Sequence, residues 1–463
     1  MIFTPKTIRI WQTVNLTMSV FAVGLCIGLY GTSLLDLAEM YDTRVDIIVY
    51  ILSSRSAGSI VSCFIAGTVF RYYNIQLVVM LNTFIGGLCL IAVPVCPSLA
   101  LCHITCFVLG FTIGLLEVGC NVWLITVWKE KSAAMLQFYH FMFGVGAMLS
   151  PFGAEPFLSK KRPLSPIASS STENATDSTF NRTTAPIDFR LDLADFSLVE
   201  DAASDSRIFI PFAAFGAFYA ICAVLMFLSY LVDSADIRQN EKKQTKLSDR
   251  KVSRRMEFII IFGLCIYVLL GVASEQNYAS MISVYVIGSL DFSKSSGAFL
   301  VSVFWAAFTF SRIVATGLSI KVNPMTMLCG SHIIVMFAAV TLTVLPRTEW
   351  ILWSMTALYA FGLSPFFGNV CAWALQYVFL GHNYMAAIMM FVCIGAMMPP
   401  IILAPFIESH PIALMFSNIA LAIIMTATAI GLLMLGRHIG KPLANIKESH
   451  QEYDPVEPND TDL

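Results

Sequence analysis

The sequence predicts an all-α membrane protein with twelve transmembrane helices, arranged as two six-helix pseudo-symmetric halves with both termini cytoplasmic. Three observations carry this reading. Of 463 residues, 57% are hydrophobic and 13% charged, and the mean hydropathy is +0.74, a balance foreign to soluble globular domains. Apolar runs long enough to span a bilayer recur along the chain, while the ten-residue alternation of an outer-membrane barrel is absent. Basic residues also fall on alternate loops, as the positive-inside rule requires of a chain that crosses repeatedly.

Residues 1–158 read as the N-terminal half with helices 1–5. Lys6 and Arg9 precede helix 1 (14–35) without a cleavage site behind it, so it reads as a span rather than a signal peptide. Asp36 stands at its far end, ahead of Glu39, Asp42 and Asp46. Helix 2 (47–70) carries Arg55, and helix 3 covers 75–95. Helix 4 (109–128) is the run LGFTIGLLEVGCNVWLITVW, and helix 5 covers 133–157. Residues 159–207 are rich in Ser, Thr, Pro and Asp and hold sequons at Asn174 and Asn181, so they read as a glycosylated extracellular loop.

Helix 6 (208–232) leads to a basic cytoplasmic linker (233–256). Residues 257–436 form the C-terminal half, with helices 7–12 near 257–287, 296–320, 325–345, 350–379, 384–407 and 411–436. A polar cytoplasmic tail (437–463) closes the chain. Placing Arg71, Lys129, Lys131, the 238–255 cluster, Lys321 and Arg437 inside puts both sequons outside, so two independent signals agree.

An internal repeat supports the two halves. GAMLSPFGAEPF from Gly146 and GAMMPPIILAPF from Gly395 share GAM-x-x-P-x4-P-F at an offset of 249 residues. Parallel repeats of six helices are the architecture of two-half transporters, which hold substrate at mid-membrane between the halves. The twelve cysteines are scattered, with no metal-ligand or CxxC spacing. Cys96 and Cys102 flank an outer turn, where free thiols or a disulfide are both open. No nucleophile and base stand at helical spacing, so an enzyme is not expected.

Glu117 is the lone carboxylate inside helix 4, on one stripe with Gly110, Gly114 and Asn121. An ionisable group at bilayer depth costs roughly 2.5–3.5 kcal/mol on insertion scales, so it reads either as helix glue or as an ion or substrate site. Polar stripes offer candidates for the cavity wall: Gln137 and His140 in helix 5, Glu275, Gln276 and Asn277 in helix 7, Asn369 and Trp373 in helix 10. Amides donate and accept as sugar hydroxyls do, although interhelical amides also bond one another. Arg55 and Arg312 read as structural or gating charges. Exposed charge is the expectation for Glu155 and Glu408 at helix ends.

The segments SLLDL (33–37), SRSAGSIVSCFIAG (53–67 region), LLEVGCN (115–121) and GLSPFFG (362–368) resemble the sodium-dependent glucose transporter-like branch of the major facilitator superfamily, and more distantly the bacterial fucose:proton symporter. The resemblance runs over nearly the whole chain. It implies hexose transport across the plasma membrane by alternating access, with Glu117 and Asp36 as ion-coupling carboxylates. The chain departs from the pattern where the usual Gly-rich inner loop is reduced to GTVFRYYN and where GVASEQNY precedes helix 7's Tyr285. A small sugar, the bilayer and a coupling ion (Na⁺ or H⁺) are the expected partners. No cofactor, metal or nucleic acid is expected, and the chain is expected to work as a monomer. A proton-coupled or uncoupled carrier of another solute, and a non-transporting sensor with the same fold, remain as alternatives.

Overall fold

The computed structural model describes residues 5–128, 132–160, 206–234, 253–319, 321–378 and 382–439. The sequons Asn174 and Asn181, most of the basic linker and the tail lie outside the described residues, as does the side chain of Gln137. Helices α1 (Pro5–Met40), α2 (Tyr50–Tyr72), α3 (Ile75–Ala92), α4 (Leu99–Trp128), α5 (Ser132–Ala154) and α6 (Phe209–Val232) form the first half. Helices α7 (Arg254–Leu290), α8 (Lys294–Leu318), α9 (Pro324–Val344), α10, α11 (His382–Ile407) and α12 (Ala413–Ile439) form the second. Among the described residues, eleven stretches are long and apolar enough to cross a membrane; α5, between α4 and α6, makes twelve helices of spanning length.

Helix α4 begins at Leu99, ten residues before the expected 109, and two further elements depart from the expected bounds for identifiable reasons. Helix α1 does not stop before Asp36 but runs on to Met40, where Asp42 adopts a left-handed φ of 44° and Thr43 N–H closes back on the Ala38 carbonyl. Helix α10 is broken into Glu349–Leu363 and Phe366–Leu375. Pro365 has no N–H to give the Phe361 carbonyl; Ser311 of α8 supplies the bond instead, at 2.6 Å. The break therefore joins α10 to α8.

Within the first half α1 packs on α5 and α6, α2 on α4, and α3 on α4 and α6. In the second, α7 packs on α11 and α12, α8 on α10, and α9 on α10 and α12. The repeated motif has an equivalent place in each half. A Cβ on Gly146 would strike the backbone of Phe21 in α1, and one on Gly395 would strike the backbone of Leu269 in α7. The same offset of 249 residues relates Asn74 and Asn323, whose side chains cap α3 and α9 by accepting from Gln76 and Met325 N–H at 2.9 Å each. The halves meet along α1 with α7 and α8, α2 with α11, and α5 with α8.

Candidate functional site

Four ionisable side chains from four helices are linked electrostatically across the two halves. Arg55 comes from α2 and Glu117 from α4 in one half, Glu275 from α7 and Arg312 from α8 in the other. Helix α2 approaches α4 at glycines: Cβ atoms on Gly110 and Gly114 would meet Arg55 and Ser59 backbone and the Ser62 hydroxyl. That approach brings Arg55 within electrostatic reach of Glu117, which also feels Glu275 across the interface; Glu275 in turn feels Arg312. None of the four closes into a direct ion pair among the described residues. Arg55 lies over the Tyr30 ring at 5.4 Å, its Nε without a hydrogen-bond partner. Arg312 lies over Phe308 at 4.9 Å and donates to the His140 carbonyl of α5 at 2.9 Å, bridging the halves. Each cation–π contact is worth about 0.5–2 kcal/mol, so the arginines are held while the carboxylates keep lone pairs unclaimed.

Beside the second couple lies a small pocket walled by Tyr267, Glu275, Phe308, Arg312, Phe366 and Phe367 among others. Tyr267 is fixed through His332, at 2.9 Å, and His332 is bonded on its other nitrogen to Thr426 at 3.0 Å. The break in α10 places Phe366 and Phe367 on this wall.

A second charge cluster closes the end predicted to face outward. Lys294, the first residue of α8, donates to Asp36 at 2.8 Å, to Glu39 at 2.5 Å and to the Ser159 hydroxyl at 2.6 Å. Asp36 also accepts from Ser159 N–H at 2.7 Å and the Ser206 hydroxyl at 2.5 Å, and is fully buried. Local sequence aims the lysine: Asp291, with φ 57°, ends α7 in a left-handed turn, and Ser293 caps α8 through Ser296 N–H. Alongside, Ser295 donates to Glu155 at 2.5 Å. Glu408 accepts from Val45 N–H at 2.7 Å and pairs with Arg44 at 3.3 Å. Glu155 and Glu408 are thus engaged across the halves rather than simply exposed.

Residues 207–400 match the family model of the Major Facilitator Superfamily. The chain is 24% identical over 399 residues to the human sodium-dependent glucose transporter 1, covering 86% of this chain and 73% of the relative. Against the Xenopus laevis protein of the same name the identity is 24% over 440 residues, with 94% and 83% covered. Among solved structures, the E. coli fucose:proton symporter aligns with a TM-score of 0.56 at 12% identity, covering 92% of this chain and 98% of that one. A nucleoside transporter aligns at 0.61 and 11%, covering 92% and 99%. The likenesses to the solved structures carry the fold alone.

The structure separates the sequence-predicted residues. Glu117 and Glu275 lie within electrostatic reach of one another, with Gln276 donating to Glu275 at 3.3 Å. Asn121 donates to the Glu117 carbonyl of its own helix at 2.8 Å. Asn277 does not face the midline cavity: it donates to Ser417 and Asn418 of α12 at 2.7 and 3.0 Å, as interhelical glue. Trp373 is buried with its indole nitrogen beside Gly436 of α12 and its ring against Tyr377. Asn369 is buried with its amide nitrogen unbonded. Asp36 is separated from Glu117 and belongs to the outer cluster. Cys96 and Cys102 are free thiols. The sequence reading passed over Lys294. The signal was available: a lysine at an end that the positive-inside rule leaves poor in cations calls for a partner.

Proposed function

We propose that this chain carries a hexose such as glucose across the plasma membrane by alternating access, coupled to Na⁺, with both termini in the cytoplasm. The observation that carries the mechanism is the division of the midline charges, one arginine and one glutamate from each half. A site assembled from both halves is remade whenever they rock, so its cation affinity changes with the side to which it opens. The hexose and Na⁺ follow from relatives named sodium-dependent glucose transporter 1. The bonded Lys294 end supports a state closed on the side read as outer. In the cycle, Glu117 offers its free carboxylate oxygens to the ion, or to a substrate hydroxyl, when the midline is exposed to the outer solution.

Radiolabelled glucose uptake by cells expressing the wild type or Glu117→Gln, in Na⁺ or in choline, tests this. Saturable uptake that needs Na⁺ and falls at least about tenfold in the variant is expected, since removing a buried charged contact costs about 1.5–3 kcal/mol. Equal uptake in both salts by an active variant would make the chain a uniporter and leave Glu117 a structural group. The orientation has its own check. Asn174→Gln with Asn181→Gln should abolish the glycosidase-sensitive gel shift, whereas a glycan on Asn459 would invert the topology.

A further inference from the structure

We infer that Cys63 of α2 and Cys393 of α11 form a reversible oxidation site, a dithiol that a peroxide closes into a disulfide and so arrests the two halves. The cross-link stands on the placement of the two thiols; the arrest rests on the alternating-access reading above.

The two sulfurs lie 3.9 Å apart although 330 residues separate them in the chain. Both side chains are buried, at 5% and 8% exposure. They face one another across the seam where α2 of one half packs on α11 of the other. At about 1.5 Å per residue, Cys63 stands roughly 20 Å from the start of α2 and Cys393 roughly 20 Å from the end of α11. The pair therefore sits deep in the bilayer, beneath two further links along the same seam. Ser53 donates to the Met397 carbonyl at 3.3 Å, and Val45 N–H donates to Glu408 at 2.7 Å. Cys393 also lies within electrostatic reach of Glu117 and Arg55, which places the dithiol beside the proposed coupling carboxylate.

Geometry selects this pair for cross-linking. A disulfide needs its sulfurs about 2.05 Å apart and its β-carbons about 3.5–4.5 Å apart. Cys63 and Cys393 belong to separate helices, so a turn of each side chain and a small slide of one helix on the other can close the gap. Cys102 and Cys106 are neighbours as well, but they stand one turn apart on α4. There the helix holds the β-carbons about 5–6 Å apart, and a disulfide would have to break its hydrogen bonds.

One hydrogen peroxide balances the step. The thiolate of one cysteine attacks a peroxide oxygen; an S–O bond forms, the O–O bond breaks, and the departing hydroxide takes up the thiol's proton as water. The thiolate of the second cysteine attacks the sulfenic sulfur; the S–S bond forms, the S–O bond breaks, and a second water leaves. Two thiols are oxidised and one peroxide is reduced to two waters. Small and uncharged, hydrogen peroxide reaches a buried pair from which charged oxidants are excluded. A dithiol reductant reverses the bond by exchange. The hydrogen bonds of the seam can be broken and remade in each cycle, whereas a covalent bond there removes one of the alternating states altogether.

The test uses the full-length chain, treated with hydrogen peroxide and then with dithiothreitol. Peptide mapping without reduction should show Cys63 joined to Cys393 as the principal disulfide of the oxidised protein, absent after dithiothreitol. Glucose uptake by cells should fall at least about tenfold on oxidation and return on reduction. Cys63→Ala and Cys393→Ala should each transport within about twofold of wild type and resist the peroxide. A map without the 63–393 link would overturn the site, whether or not the variants express. A link that leaves uptake unchanged, or an arrest that persists in both variants, would overturn the switch. A chain that forms the link but carries no glucose in either form would overturn the sugar reading alone. The arrest is then read by hydrogen exchange of α2 and α11, which should slow at least about tenfold on oxidation; unchanged exchange would overturn it.

Discussion

Lys294→Met is expected to open the outer end and shift the protein away from the state described above. Lys294 is 8% exposed and Asp36 0%, so removing the ammonium strands a buried carboxylate. Breaking a buried pair from one side costs about 3–5 kcal/mol, and the strained side relaxes by exposing Asp36 to water. Because Lys294 sits on α8 and Asp36 on α1, exposure means separating the halves at that end. The double variant Asp36→Asn with Lys294→Met should close again, since removing both charges leaves no stranded ion. The readout is Ser33→Cys, one turn inside Asp36 and buried, in a background without other cysteines, labelled from outside by an impermeant thiol reagent. Labelling should be slow in the parent, at least about tenfold faster with Lys294→Met, and slow again in the double variant. Unchanged labelling of a surface-expressed Lys294→Met protein would show that the cluster does not hold the halves together. A second readout follows from Cys63 and Cys393, whose sulfurs lie 3.9 Å apart across α2 and α11. Their oxidative cross-link should form less readily in Lys294→Met.

The contrast between what the sequence foretold and what it missed has one physical origin. Spans are written locally, because each backbone polar group at bilayer depth must find its partner within the same helix. A run such as 411–436 therefore declares itself, and α12 at Ala413–Ile439 differs by only a few residues. The repeat was also legible, because two halves that pack their first and fifth helices alike need small residues at equal offsets. Side-chain partners are written by tertiary distance. Asn277 and Trp373 lie on polar helix faces that sequence spacing alone aims at a cavity, yet both settle against α12, well over a hundred and about sixty positions away respectively in sequence terms. Asp36 was visible as a carboxylate near the end of a span. Its partner lies 258 residues on, and nothing local to either residue names the other. Glu117 is the instructive middle case: its burial cost flagged it, while its neighbours Arg55 and Glu275 emerged only from the packing.

The glycines between α2 and α4 lead to the largest expected loss of folded protein. In a membrane, helix association lacks the hydrophobic drive of water and relies on close backbone approach and on interhelical hydrogen bonds. At Gly110 a Cβ would fall on the Arg55 carbonyl, and at Gly58 on the Phe107 carbonyl. Backbone atoms cannot rotate aside as a side chain tip would, so the helices must part. Parting them breaks the bond from the Ser59 hydroxyl to the Gly110 carbonyl, now 2.8 Å, and draws Arg55 away from Glu117. Overpacking a well-filled core costs about 1–3 kcal/mol or more, and here the lost approach adds to it along a whole helix pair. Gly110→Val should therefore reduce the monodisperse, surface-expressed fraction to less than about a tenth of wild type. Gly67, on α2 with nothing near its Cβ position and an exposed face, supplies the control: Gly67→Val should express as wild type does. Fluorescence-detected size exclusion of the two variants decides the matter. Equal profiles would mean that α2 and α4 tolerate separation, and the midline geometry built on their contact would then have to be abandoned.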